Sequence, residues 1–229
     1  MTFLAILGAI YAVAQVLLPC LPPVPLSSEV LTTEQYLGKW YFIGVASWDD
    51  EDIEGYKPLD NSVAELKKGE NNTLIMSAAL KQGDQCANMA WTYYIDPDLD
   101  PILTEGPGKV LNAFPVYQAE SVSNLCVCIC LIVFHCLKLC SYCYSIHPLT
   151  ANNIGVFLDG KWINCPSCLI VFKLHPSVGF LRVMLFSRDE NTPADSVKNF
   201  QSKMECFFII DRFIISPRTK EFCKLEGTA

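Results

Sequence analysis

Along most of the chain, apolar and polar positions alternate in short runs separated by turn residues. Runs near 39–47, 61–68, 73–81, 85–95, 108–116, 168–174 and 179–187 alternate or are rich in β-branched and aromatic residues, which is the pattern of half-buried strands. Hairpin-length turns between them imply a sandwich or an up-and-down barrel. Before the first run, LPPVPLSS (21–28) is an extended lead-in and SSEVLTTEQYLGKW offers about one turn of helix. Late in the chain the period changes. In TPADSVKNFQSKMECF, Val197, Phe200, Met204 and Phe207 recur at helical spacing while Lys198, Gln201 and Lys203 face water. Thr192 is placed to cap that helix and Pro193 to open it, and a last strand is expected in FFIIDRFIIS.

The first strand opens on LGKWYFIGVA (37–46). A strand that enters a closed barrel turns sharply across the floor, and Gly38 permits the turn. Two residues on, Trp40 points inward, where a flat indole fills space that no aliphatic side chain fills. In VMLFSRDE, Arg188 is placed to lay its guanidinium over that indole from outside, a contact worth on the order of 1 kcal/mol.

Composition narrows the classes. Hydrophobic residues make up 51% of the 229 and charged ones 18%, enough to build a large core and too apolar for extended disorder. The formal charge of −7, with no basic stripe, argues against a nucleic-acid partner. MTFLAILGAIYAVA (1–14) has signal-peptide length and ends in small residues, so cleavage before Gln15 is expected; no Lys or Arg precedes the run, and uncleaved it is an apolar anchor. Residues 15–229 then form a single domain, exported from the cell. Asn71 opens an Asn-Asn-Thr sequon in a polar turn, a glycan acceptor in a secreted chain.

Of twelve cysteines, eight lie between 126 and 168, and the remaining four are Cys20, Cys86, Cys206 and Cys223. Four scattered cysteines in an oxidising compartment read as two bridges with three possible connectivities. The apolar, Cys-rich stretch NLCVCICLIVFHCLKLCSYCYSI (124–146), inside an atypical insert at about 120–160, fits no strand pattern. It is long enough to span a bilayer, although His135 and Lys138 are costly there. Its alternate cysteines do not converge on a metal, and the third reading is an insertion that adds nothing to the fold. No metal or cofactor is expected.

In the strand DQCANMAWTYYI, alternation puts Ala87, Met89, Trp91, Tyr93 and Ile95 on the larger, more apolar face, taken as the lumen. In GFLRVMLFS it puts Phe180, Arg182, Met184 and Phe186 on one face. Arg182 therefore sits in an apolar row and needs a carboxylate, water or a bound anion. An internal ion pair with Glu65 or Glu105 or a solvated mouth satisfies it; so does a ligand head group. Trp91 is equally read as core packing or ligand contact. The histidines, His135, His147 and His175, lie beside no nucleophile with an orienting carboxylate, so catalysis is not expected.

The Gly-x-Trp, the late arginine and the helix after it resemble the lipocalin family. Within it the resemblance is strongest to the apolipoprotein M branch, then to orosomucoid-like lipocalins, and is carried by LGKWYFI (37–43), PLDNSV (58–63), LTEG (103–106), LFSR (185–188) and ISPRTKEFC (215–223). It implies an eight-stranded antiparallel up-and-down barrel with a C-terminal α-helix. It also implies bridges Cys20–Cys206 and Cys86–Cys223, with Ser196 standing where Cys165 would need a partner. The ligand site it implies draws on Met89, Trp91, Tyr93, Phe180, Arg182, Met184 and Phe186. Two arginines that the branch offers to the phosphate of sphingosine-1-phosphate are here Met89 and Pro107, and a tyrosine is Phe186. A fatty acid or retinoid is thus as well matched as that lysolipid. The implied function is a secreted lipid carrier, with lipoprotein particles as partners. The alternatives are a membrane-tethered form held by 1–14 or 124–146, an orosomucoid-like binder of assorted hydrophobic compounds, or an isomerase with a lumenal thiol.

Overall fold

A computed structural model describes residues 23–106, 109–110, 153–175, 180–209 and 211–225, with backbone alone at 109–110, 175 and 180. The N-terminal run 1–14, Cys20, the insert segment 124–146, Pro107, His135 and His147 lie outside the described residues.

Ten strands form one antiparallel sheet that closes on itself. They are β1 (Gly38–Ser47), β2 (Leu59–Lys68), β3 (Thr73–Gln82), β4 (Gln85–Ile95), β5 (Leu103–Glu105), β6 (Lys109–Val110), β7 (Ile154–Asp159), β8 (Cys168–His175), β9 (Phe180–Ser187) and β10 (Phe213–Ile215). The path β1-β2-β3-β4-β5-β7-β8-β9 returns to β1, with Tyr41 opposite Ser187 and Ser47 opposite Arg182, so eight strands make the barrel. Closure removes the free edges that an open sheet exposes. β6 pairs with β4 beside this path, and β10 pairs with Gly44–Ala46 of β1 past the point where β2 leaves it. A Cβ on Gly44 would stand 2.7 Å from the Ile214 carbonyl oxygen, so only glycine lets β10 approach.

Alternation sorts the side chains as expected. Phe42, Ala64, Leu66, Leu74, Met76, Tyr93, Leu103, Phe157, Leu169, Val171, Met184 and Phe186 fill the interior. Ile43, Ile170, Phe172, Leu181, Val183 and Leu185 point outward, under a second core formed with Phe200, Met204 and Ile209.

Among the described residues three α-helices flank the barrel: α1 (Ser28–Leu31), α2 (Asp50–Tyr56) and α3 (Ala194–Glu205). In α3, Phe200 and Met204 are fully buried with Val197 and Phe207 against them, as the helical spacing requires. Its start differs from expectation. Pro193 is the N-cap with no side-chain hydrogen bond, because the Thr192 hydroxyl donates to the Asp189 carbonyl instead. Lys203, expected in water, is half-buried with Nζ 5.5 Å from the centre of the Trp162 ring.

Other expectations also need correction. The last strand covers only Phe213–Ile215, since Phe207 and Phe208 lie in the turn that ends α3. Of the expected strand 108–116, the described part is Lys109–Val110. Helix α2 and strands β5 and β7 were not expected. The bridge Cys86–Cys223 is as the resemblance implies, and Cys206 is also in a disulfide. Cys165 does have a partner: it bonds to Cys168, three residues on.

The tail after β10 straps the outside of the barrel through Asp60. That carboxylate accepts from Thr219 N at 3.2 Å, Lys220 N at 2.9 Å, Asn61 Nδ2 at 3.0 Å and the Thr219 hydroxyl. These bonds hold it below its ordinary pKa, although burial works the other way.

Candidate ligand-binding site

The closed end is built around Trp40. Gly38, at φ +90, takes the left-handed turn ahead of it. The indole is 2% exposed and donates to the Tyr36 carbonyl at 2.8 Å. Arg188 covers it from outside, 3.7 Å from the ring centre. The same guanidinium donates to the carbonyls of Lys39 (2.6 Å), Gln35 (2.7 Å) and Leu37 (2.6 Å). One arginine thus locks the lead-in to the strand that follows it, and the barrel is plugged at this end.

Above the floor lies a cavity lined by Phe42, Tyr56, Met76, Trp91, Met184 and Phe186, with Leu59, Ser62, Ala78 and Leu80 beside them and two cations, Lys173 and Arg182. About 50 Å³ of it is open to the centre of a water molecule, room for a few waters. Of the residues expected to form the site, Trp91, Arg182, Met184 and Phe186 line this cavity together. Tyr93 is fully buried in the interior and is not part of the lining. Met89 lies opposite Ala78 on the lumenal side of the ladder but does not reach the cavity. For Phe180 the described backbone pairs with His175, where β8 ends and β9 begins.

Arg182 has an internal counter-ion, though neither carboxylate expected. Asp52 of α2 accepts from Nε at 2.9 Å and from Nη2, a two-point contact. Glu65 instead pairs with Lys67 at 2.8 Å. The guanidinium also lies 5.2 Å from the centre of the Tyr56 ring. Burial disfavours its charge, but Tyr56 and the Asp52 carboxylate outweigh that and hold its pKa above the ordinary value.

Glu105 is taken by Lys173, a residue that the sequence reading passed over. Nζ stands 3.0 Å from Oε1, with the two side chains 6% and 3% exposed. Trp91 and Tyr93 present their rings to the same ammonium at 4.6 and 5.8 Å. Burial lowers the Lys173 pKa and Glu105 offsets part of that. Among the described residues, Glu105 Oε2 and the Tyr93 hydroxyl are buried without a hydrogen-bond partner; burial, then the Glu105 charge, push the Tyr93 phenol well up. The signal for Lys173 was available: on β8 the inward row reads Leu169, Val171, Lys173, a cation at the end of an apolar alternation.

Helix α2 covers the cavity. Asp49 caps it through Glu51 N, Ile53 is its one buried residue, and Tyr56 stacks on Phe42 with ring centres 5.9 Å apart. Asn71 is exposed in the turn between β2 and β3. Among the described residues no group of three or more His, Cys, Asp or Glu side chains is placed to hold a metal, and no helix is long and apolar enough to cross a membrane.

An eight-stranded closed barrel with an indole floor, an arginine over it and one helix laid along its side is a lipocalin. A solved siderocalin, Ex-FABP, described as functioning through dual ligand specificities, superposes with a TM-score of 0.54 at 13% identity, covering 83% of this chain and 100% of that one. The chain belongs to the ApoM-domain family, whose profile matches residues 28–123 and 160–227 and passes over the segment that holds the Cys-rich run. Apolipoprotein M of Rattus norvegicus is 24% identical over 198 residues, 86% of this chain and 80% of its own length. Apolipoprotein M of Mus musculus is 23% identical over the same shares.

Proposed function

We propose that this chain is a secreted carrier that sequesters a small amphiphile in the barrel. The observation that carries the reading is an apolar cavity, plugged at one end, with Arg182 in its wall. The tail of the guest lies against Phe42, Met76, Trp91, Met184 and Phe186, and its head stays by Arg182. Each buried CH2 contributes roughly 0.8 kcal/mol, so a long chain suffices for tight binding. The candidates are a sphingosine-1-phosphate-like lysolipid, a fatty acid and a retinoid.

Export through a cleaved 1–14 segment, a glycan on Asn71 and residence on lipoprotein particles belong to the same proposal. The name of the relatives, Apolipoprotein M, supports the last of these. The carrier reading is tested by native mass spectrometry of the full chain purified without detergent. A discrete lipid mass that leaves on denaturation is expected. A bare chain that also fails to bind a fluorescent lipid overturns it.

A further inference from the structure

Both cations of the cavity wall already hold a carboxylate: Lys173 has Glu105 and Arg182 has Asp52. The lumen is therefore neutral as it stands, and its free volume admits a few waters but no alkyl chain. A loaded state requires something to move out. The two pairs differ in what holds them. Glu105 sits in β5, a strand of the barrel wall, whereas Asp52 sits on the short helix α2, anchored by Ile53 alone among its buried residues. Helix α2 also carries Tyr56, which lines the cavity, stacks on Phe42 and donates from its hydroxyl toward Met184 Sδ at 3.8 Å. Outward movement of α2 would remove a wall of the cavity and return Asp52 to water beside Asp50 and Glu51.

We propose that Asp52 occupies the seat of the ligand head group, and that the ligand is a long-chain monocarboxylate which exchanges with it at Arg182. The proposal rests on the carrier reading above and names its ligand class. Geometry supports a carboxylate, because Asp52 meets Nε and Nη2 of the guanidinium with its two oxygens, the planar fork that a second carboxylate reproduces. Charge supports a single negative charge. When Asp52 leaves and a monoanion enters, the lumen stays neutral; a dianionic phosphate would bring one charge in excess, with Lys173 already committed to Glu105. Asp52 is then a specificity residue and a latch at once, since the latched form lowers apparent affinity by the fraction of time it is closed.

The test uses the full chain stripped of lipid, with cis-parinaric acid and the alcohol of the same polyene as probes, and the ratio of their dissociation constants as the readout. Asp52→Asn removes the two-point carboxylate contact of Arg182 and is expected to raise the preference for acid over alcohol about tenfold. Ile53→Ala, which loosens α2 without touching charge, is expected to tighten both probes alike and leave the ratio unchanged. A long-chain phosphate monoester is expected to bind the wild-type chain more weakly than the carboxylate of equal length. The proposal is overturned if the ratio is unmoved in Asp52→Asn, if Ile53→Ala moves it as far, or if the phosphate binds more tightly. Failure of both probes to bind any form overturns the carrier reading itself, and this proposal with it.

Discussion

Substituting Lys173→Met removes one half of a pair that lies almost wholly out of water. The ammonium stands 3.0 Å from Glu105 Oε1, and the other oxygen of that carboxylate has no partner among the described residues. Once Lys173 is gone, the carboxylate has lost its ammonium partner, and breaking a buried pair in this way costs about 3–5 kcal/mol. Urea unfolding with disulfides intact, followed by tryptophan fluorescence at neutral pH, measures the loss. The double variant Lys173→Met with Glu105→Leu removes both charges and is expected to return to within about 1 kcal/mol of wild type. A single variant that costs under about 1 kcal/mol, or a double variant no better than the single, refutes this account of the lumen.

Three further outcomes follow from the barrel's ends and its strap. Replacing Cys86 and Cys223 by Ser opens a loop closed across 137 residues; by the chain-entropy account about 4–5 kcal/mol is lost, visible as a lower urea midpoint. Arg188→Ala leaves the carbonyls of Gln35, Leu37 and Lys39 without that donor and uncovers Trp40; we expect about 2–4 kcal/mol in urea unfolding and a red shift of tryptophan emission. Asp60, with its pKa depressed by the strap, contributes stability that is present above the unfolded value and lost as pH falls through the folded one. Asp60→Asn should therefore lower stability at neutral pH and flatten its dependence below about pH 4, as followed by acid unfolding.

The barrel was legible wherever a strand is long and has one wet side or a strict alternation. In β9 the row Arg182, Met184, Phe186 was assigned to one face from period alone, and all three line the cavity. The floor was legible because Gly38, Trp40 and Arg188 are unusual residues at fixed places. Short elements were not. Helix α2 has seven residues, a glycine inside it and only Ile53 buried, so no hydrophobic stripe betrays it; its acidic first turn under Asp49 was the available sign. β5 has three residues, and β7 is buried along most of its six. Missing α2 meant missing Asp52, and the partner of Arg182 was sought on strands for that reason. Lys173 was passed over because a lysine near a strand end is usually solvated, whereas here Glu105 on β5, two strands away across β7, makes its burial tolerable.

The strap also dictates an order of events while the chain is being made. Cys86 is made well before its bonding partner, Cys223, which follows 137 residues later. At about 5–20 residues per second, the ribosome takes on the order of ten seconds to deliver the intervening stretch. Throughout that interval the first thiol sits among other nascent cysteines, while Cys165 and Cys168 are close enough in sequence to join as soon as they appear. Correct pairing therefore waits until Cys223 has been made, and a polypeptide cut short just before it carries every barrel strand but lacks this bridge.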